Sequence, residues 1–171
     1  MKLRSWIKNE DGAAAAEFAL VMIPFLGLIL MALQTTIVMF MDQALQTAAQ
    51  QATRQLMTGS AQTQGLTAAQ FKSKVCAFAN GFNCNGIMVD VQSASTFTNL
   101  NTNSISLSYN AQGQVTNNFN YQPGNAGDVI IVRVMYNWPI FGGPLAGPLV
   151  NQPGGNHLLV STVVFKNEPY A

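Results

Sequence analysis

The stretch FALVMIPFLGLILMALQTTIVMFM, from Phe18 to Met41, decides the fold of this chain. It holds 24 residues without a charge, and as a helix it would be about 36 Å long. The hydrocarbon core of a bilayer is about 30 Å thick, so such a helix is long enough to cross it. Because the stretch is apolar on every face, it does not suit a helix that packs one side onto a soluble core. The sequence therefore predicts one transmembrane helix near the N-terminus.

The charges that flank this stretch predict its orientation. Lys2, Arg4 and Lys8 precede it, and Asp42 is the first charge after it. By the positive-inside rule, we expect the short N-terminus in the cytoplasm and everything after Met41 outside it. A cleaved secretory signal is the competing interpretation, but its apolar region normally spans about 7–15 residues.

Composition excludes several classes of function. Only 9% of the 171 residues are charged and the net charge is +1, so binding to nucleic acid has no electrostatic support. Cys76, Cys84 and His157 are too few to form a zinc site of four Cys or His ligands. No Ser or Cys stands at motif spacing from His157, and the carboxylates are scattered. We therefore predict no catalytic residue, cofactor, metal site or small-molecule substrate.

The helical pattern continues beyond the membrane stretch. Apolar residues recur at three-to-four spacing over 42–58 and predict one buried stripe, with Gly59 as the stop. The stripe consists of Leu45, Ala48, Ala49, Ala52 and Leu56. A second, short helix is predicted from Thr67 to Ala79, where Thr67 and Gln70 make a capping box.

The two cysteines lie close together, Cys76 in the short helix and Cys84 just beyond it. If this region is outside the cytoplasm, the pair is expected to form a disulfide. A bridge would tie the end of the helix to the next strand, with a stabilisation of about 2–3 kcal/mol. Two buried free thiols, which behave as small apolar side chains, are the alternative.

The C-terminal half carries strand patterns. Alternation of apolar and polar residues predicts strands at 87–92, 128–138 and 158–166, and weaker alternation predicts a pair at 104–109 and 114–120. Residues 139–156 are rich in Gly and Pro and predict a long loop. We expect an α+β fold: a long N-terminal transmembrane helix that continues into a small domain with a short helix and an antiparallel sheet of about four strands.

A short motif stands just before the apolar stretch. Gly12 is followed by four alanines, then by Glu17 and Phe18. A carboxylate that opens an apolar segment costs a few kcal/mol unless it lies at the interface or is paired. The small residues leave the peptide bond after Gly12 open to a membrane-embedded protease. From the residues alone, Glu17 could equally be an interfacial carboxylate favoured by the helix dipole.

This motif, a Gly, four residues, a Glu and an aromatic residue before an apolar helix, resembles the prepilin processing site of type IV-like pilins. The resemblance implies cleavage by prepilin peptidase between Gly12 and Ala13, and it places Glu17 and Phe18 in subunit assembly. It further implies that Glu17 neutralises the new N-terminal amine of a neighbouring subunit. Two such opposite charges attract strongly in a low dielectric.

The chain is most similar in plan to the TadE-like minor pilins, or pseudopilins, of the tight-adherence (Flp-type) pilus. The Ala-rich run to Arg54, the Cys pair, the segment 136–139 and the segment 167–170 carry this resemblance. The family implies roles in pilus assembly, surface adherence and biofilm formation. Its expected partners are membrane lipid, prepilin peptidase, other pilin and pseudopilin subunits and the assembly machinery.

The resemblance also implies a division of the chain and a location. Residues 1–12 would be a cytoplasmic leader, 13–41 the transmembrane helix, 42–58 its extension and 59–171 an extracytoplasmic, periplasmic domain. The protein would lie in the inner membrane or, after assembly, in the extracellular pilus. An unprocessed single-pass anchor that displays a binding domain is the alternative function.

Overall fold

The computed structural model describes residues 13–100, 102–103, 105–141 and 147–169. Gly12 and the rest of the predicted leader lie outside the described residues. The described chain forms three helices and three strands. These are α1 (Ala13–Met57), α2 (Ser60–Thr63), α3 (Ala68–Phe78), β1 (Met88–Ala94), β2 (Val129–Pro139) and β3 (Asn156–Lys166).

Helix α1 is one continuous element of 45 residues, about 67 Å long. It runs through Pro24 without interruption, although proline removes one backbone donor there. Gly59 ends the helical region, because its φ of 72° is a left-handed conformation that side chains with a Cβ rarely adopt. Helix α1 therefore ends at Met57, just before the predicted stop at Gly59.

The three strands form one antiparallel sheet in the order β1-β2-β3. The face predicted from the alternation in β2 packs into the core, with Ile130, Val132 and Val134 fully buried and Tyr136 and Trp138 packed at its edge. Helix α1 covers this face with the predicted stripe. All five residues of the stripe are fully buried: Leu45, Ala48, Ala49, Ala52 and Leu56.

Strand β2 runs antiparallel to α1, and hydrogen bonds join the domain to α1 near both ends of the strand. At one end the backbone N–H of Glu168 donates to the Met57 carbonyl at 2.9 Å. At the other end Gln34 Nε2 donates to the Phe141 carbonyl at 2.6 Å. The segment 34–57 of α1 rises about 35 Å, and an 11-residue strand spans about 36 Å. The domain therefore lies alongside the helix over the whole of this segment.

The expectation of about four strands is wrong, because the described residues form three. The predicted pair 104–109 and 114–120 makes a single bridge, Tyr109 to Val115, and Ser104 lies outside the described residues. Two backbone bonds flank the bridge, from Asn110 N–H to the Gln114 carbonyl and from Thr116 N–H to the Ser108 carbonyl, each at 2.9 Å. Beyond them the Asn117 side chain takes the place of the ladder: it accepts from the Ser108 N–H at 2.7 Å and donates to the Ser106 carbonyl at 2.9 Å. Amide side chains that bond the backbone in this way compete with strand pairing.

The outer edge of β1 is occupied by a short piece of this same region. The Val91 N–H donates to the Asn120 carbonyl at 2.8 Å, and the Gln122 N–H donates to the Val91 carbonyl at 2.9 Å. Besides the bridge between Tyr109 and Val115, an unpredicted parallel bridge therefore forms between Val91 and Tyr121.

The predicted capping box and disulfide are both present. The Thr67 side chain accepts from the Gln70 N–H, and the Gln70 side chain accepts from the Thr67 N–H at 2.8 Å. Cys76 and Cys84 form a disulfide with 5.5 Å between their Cα atoms. It joins the last turn of α3 to the short 3-10 turn that leads into β1.

Candidate subunit-assembly segment

Helix α1 divides into two parts by burial. No residue from 14 to 37 is buried, and large apolar side chains there face outward, such as Phe18 at 65% and Leu20 at 74% exposure. From Val38 onward, one side of the helix is buried under the domain. We call residues 14–37 the bare half of α1 and residues 38–57 the covered half.

The bare half has the properties of a membrane anchor. Within the described residues, one helix is long and apolar enough to cross a bilayer, and the most apolar window of 18 residues has a mean hydropathy of 2.3. Only 6% of that window is buried, so it is not the core helix of a soluble domain. Its hydroxyl groups bond within the helix: Thr35 and Thr36 each donate to the carbonyl four residues earlier at 2.9 Å. This arrangement suits single-pass anchoring in lipid.

The predicted assembly residues lie at the beginning of the bare half. Helix α1 begins at Ala13, and Glu17 follows one turn later, with its side chain exposed. Phe18 is adjacent and also exposed. Residues four apart share one face of a helix, so Ala13 and Glu17 lie in successive turns on the same side. Gly12, the other residue of the predicted cleavage site, lies outside the described residues.

No cluster of metal ligands is found in the part of the chain that the structure describes. No group of three His, Cys, Asp or Glu side chains is placed to hold a metal ion there. The ring of His157, the single histidine, faces the Leu149 carbonyl through Nδ1. This contact connects the start of β3 to the loop before it, which is a structural role.

A buried ion pair joins the two strands β1 and β2. Asp90 and Arg133 are almost fully buried, and Arg133 Nη1 lies 3.4 Å from Asp90 Oδ2. The Asp90 carboxylate also accepts from the Gln92 side chain at 2.8 Å and from the Asn120 N–H at 2.9 Å. These bonds satisfy the buried charge and fix the segment beside β1. Sequence reasoning placed Asp90 and Arg133 on polar positions of their strands but missed the pairing, since the register between strands was unknown.

Two further features of the domain were not predicted. A groove of about 820 Å³ with a mixed polar and apolar lining is bordered by residues that include Lys72, Asn85, Gly86 and Tyr136. Gly86 has to be small, because a Cβ there would come within 2.9 Å of the Tyr136 ring. The second feature is Tyr121, whose pKa is raised because burial disfavours the charged phenolate.

Together these features define a class: a subunit with a pilin-like plan, in which one apolar helix is bare in its first half and carries a small α+β domain on its second half. Residues 12–54 match the family described as TadE-like protein. The match confirms the resemblance seen in the processing motif and the Ala-rich run. It covers nearly all of α1 and stops before the sheet, so the family relation is carried by the helix.

At the level of this family, the match supports a minor pilin associated with the Tad pilus. The family is a structural one without enzymatic activity, and its members associate with the membrane and with pilus assembly components. No curated protein and no solved structure matches the chain.

Proposed function

We propose that this chain is a minor pilin or pseudopilin of a type IV-like tight-adherence pilus, cleaved by prepilin peptidase between Gly12 and Ala13. The observation that supports this most is the bare half of α1. Its large apolar side chains have no partner within the described chain, so they need lipid before assembly and neighbouring subunits afterwards. A helix of this kind can move from one apolar environment to the other.

Glu17 would act in the assembly step. Cleavage after Gly12 creates an amine on Ala13, and a buried amine and a buried carboxylate each carry a large desolvation penalty. When the amine of one subunit meets Glu17 of the next, their attraction in the low dielectric offsets both penalties. The exposure of Glu17 and Phe18 is compatible with contact by a neighbour.

The remaining assignments belong to the same proposal. Residues 1–12 are a cytoplasmic leader, 13–41 span the inner membrane, 42–58 extend the helix and 59–171 form a periplasmic domain. The partners are prepilin peptidase, other pilin and pseudopilin subunits and the assembly machinery, and the processes served are pilus assembly, adherence and biofilm formation.

Cleavage is tested by the intact mass of the chain extracted from membranes of cells that hold an active prepilin peptidase. We expect a mature chain that begins at Ala13, and we expect Gly12→Arg to retain the leader because the bulky cation blocks the peptidase. Gln46→Arg, which adds the same side chain at an exposed position of the covered half, should be cleaved normally. A wild-type chain that still carries Met1 to Gly12 would contradict the proposal.

Assembly is tested separately with Glu17→Gln. We expect this variant to be cleaved but to be depleted from the sheared pilus fraction, because the amide cannot neutralise the amine. Glu10→Gln is the matched control, since it makes the same change in the leader that is removed. Equal incorporation of both variants would remove Glu17 from the assembly mechanism.

The second candidate function is an unprocessed anchor that displays a binding domain. The groove of about 820 Å³ is the observation that favours it. This function predicts that Gly12→Arg and Glu17→Gln both leave the display of the domain unchanged. The first proposal predicts a retained leader for Gly12→Arg and loss from the pilus fraction for Glu17→Gln.

A further inference from the structure

We propose that the domain has a second contact with the membrane, made by a loop at its membrane-proximal end. The loop follows β2, and we call Ile140, Phe141, Leu149 and Val150 its apolar tip. Phe141 is 72% exposed, and the other three are half-buried. The proposed occupant of this surface is the outer interfacial layer of the bilayer that α1 crosses. The proposal rests on α1 spanning the membrane and is independent of cleavage at Gly12.

The depth of the tip follows from its bond to α1. Gln34 Nε2 donates to the Phe141 carbonyl at 2.6 Å, so Phe141 lies at the level of Gln34. That level is about 12 Å below Asp42, the first charge after the apolar run, and about 24 Å above Phe18, where the run begins. In a hydrocarbon core about 30 Å thick, this is the outer part of the bilayer.

The bond also satisfies two polar groups that lipid could not satisfy. Gln34 carries the only side-chain amide between Phe18 and Met41, and an unpaired amide in hydrocarbon costs several kcal/mol. The Phe141 carbonyl, which belongs to irregular backbone after β2, has the same need. Because irregular backbone is not tolerated deep in lipid, the contact has to be shallow, within about 5–10 Å of the boundary between headgroups and acyl chains.

The distribution of charge in the domain fits this placement. No Asp, Glu, Lys or Arg occurs from Val134 to Phe165, so the loop and both flanking strand ends carry no acidic or basic side chain. Asp128, Lys166 and Glu168 lie at the opposite end of the domain. Lys72 lines the groove beside Tyr136, where a long side chain can keep its ammonium group in water. One end of the domain is thus compatible with an interface and the other with water.

An aromatic cluster lies at the same membrane-proximal end. The rings of Tyr136 and Trp138 are 6.2 Å apart, and both pack edge-on against Phe82. Tyr and Trp are enriched at membrane interfaces because their rings tolerate an environment that is apolar on one side and wet on the other. Phe141 lies outside this cluster and is exposed beyond it. The cluster therefore forms a rigid base from which the tip extends.

The test uses Phe141→Cys in the full chain, labelled with an environment-sensitive fluorophore and reconstituted into phosphatidylcholine vesicles. The two native cysteines are bridged, so the label enters only the new position under non-reducing conditions. Phe97→Cys is the matched control, because Phe97 is 62% exposed and lies beyond the β1 end that pairs with Val129, at the opposite end of the domain. Leu28→Cys, in the bare half of α1, reports whether the helix itself is in lipid.

We expect the label at position 141 to show blue-shifted emission and several-fold stronger quenching by brominated acyl chains than the label at position 97. Iodide in the buffer should quench position 97 and spare position 141. Iodide quenching of position 141 equal to that of position 97 would overturn the proposal.

Shielding of position 141 from both quenchers, together with cross-linking that rises with protein concentration, would overturn it too, by making the occupant a second copy of the chain. The label at position 28 separates these results from a failure of the membrane span itself. If brominated lipid does not quench position 28, α1 does not cross the bilayer, and the membrane placement of the tip is lost with it.

Discussion

The bare half and the covered half of α1 are one helix in two environments. The bare half carries large apolar side chains on all sides between Glu17 and Gln34, whereas the covered half buries one apolar stripe and is mainly polar on its exposed side from Asp42 onward. Three of the fully buried residues of that stripe are alanines, at positions 48, 49 and 52. Small side chains let the sheet approach the helix axis closely. Lipid adapts to any apolar surface, while a folded domain needs a matched one.

The same hydrogen bond has a different meaning in each half. Thr36 in the bare half and Thr47 in the covered half both donate to the carbonyl four residues earlier, each at 2.9 Å. In lipid this bond is the means by which the hydroxyl is satisfied, because no water is present. Thr47 is exposed on the covered half of the helix, where water offers an alternative. A polar residue is therefore more restricted in the bare half.

The sharpest test of the comparison is one leucine from each half. Leu45→Ala should lower the free energy of unfolding of the domain by about 2–5 kcal/mol, because Leu45 is fully buried and truncation leaves a cavity. Leu33→Ala makes the same change at a side chain that is 55% exposed in the bare half, and it should leave domain stability unchanged. Denaturant unfolding in detergent, followed by near-UV circular dichroism, measures both. Equal losses of unfolding free energy in the two variants would contradict the conclusion that only the covered half packs against the domain.

A smaller effect is expected at the boundary between the halves. The disulfide closes the loop that carries Gly81, and a Cβ on Gly81 would come within 3.3 Å of Met41 Cε on α1. Replacing Cys76 and Cys84 with Ala should cost about 2–3 kcal/mol of unfolding free energy. Reduction of the wild-type protein should give a similar shift in the denaturation midpoint, and the Ala variant should not respond to reductant. A variant as stable as the oxidised wild type would show that the disulfide does not stabilise the packing of this loop against α1.

Asn167 tests the far end of the covered half. It is buried, and its side chain donates to the Pro123 and Asn125 carbonyls at 2.9 and 3.1 Å, next to the bond between Glu168 and Met57. Asn167→Ala should lower the free energy of unfolding by about 1–3 kcal/mol, because the Pro123 and Asn125 carbonyls both lose their donor. The exposed Asn99→Ala serves as control, and thermal unfolding of both variants checks the difference. A loss at Asn99 as large as that at Asn167 would contradict the assignment.

The smallest expected effect depends on pH. Burial raises the pKa of Tyr121 in the folded protein above its ordinary value, so above about pH 10 the unfolded chain releases this proton while the folded chain keeps it. The unfolded state then binds fewer protons, and the free energy of unfolding falls as pH rises. The stabilisation is complete below pH 10 and is lost as pH rises through the folded pKa. Denaturant titrations between pH 9 and 11 measure this slope.

Tyr121→Phe should flatten that alkaline slope without loss of stability at pH 7. The Tyr121 hydroxyl is buried without a hydrogen-bond partner, so its removal leaves no group unsatisfied. The ring would keep its packing against Phe71, 5.8 Å away between centroids. An unchanged slope in the variant would show that another group causes the alkaline loss.

Features set by neighbouring residues were predictable from the sequence. The long helix, the stop at Gly59, the capping box of Thr67 and Gln70 and the inward face of β2 all follow from periods and spacings of a few residues. The disulfide also joins residues close in sequence, although its formation depended on the compartment. Each of these is decided within one or two turns of helix or one strand.

Features set by register were not predictable. The pairing of Asp90 with Arg133 requires the alignment of two strands about 40 residues apart, and the bond between Gln34 and Phe141 spans 107 residues. The predicted pair 104–109 and 114–120 forms only near its turn, at the bridge between Tyr109 and Val115, because the Asn117 side chain takes the place of backbone pairing beyond it. At the candidate site, the cleavage after Gly12 and the role of Glu17 remain predictions from the motif.

The antiparallel alignment of β2 with α1 has a mechanical consequence. The helix and the strands share one long axis, and hydrogen bonds tie the domain to the helix near Gln34 and near Met57. A pull on the helix along that axis therefore loads the ladders of β2 in shear, with many bonds resisting together. A peeling force would break the same bonds one after another. A protein built in this way is suited to carry tension between α1 and the sheet.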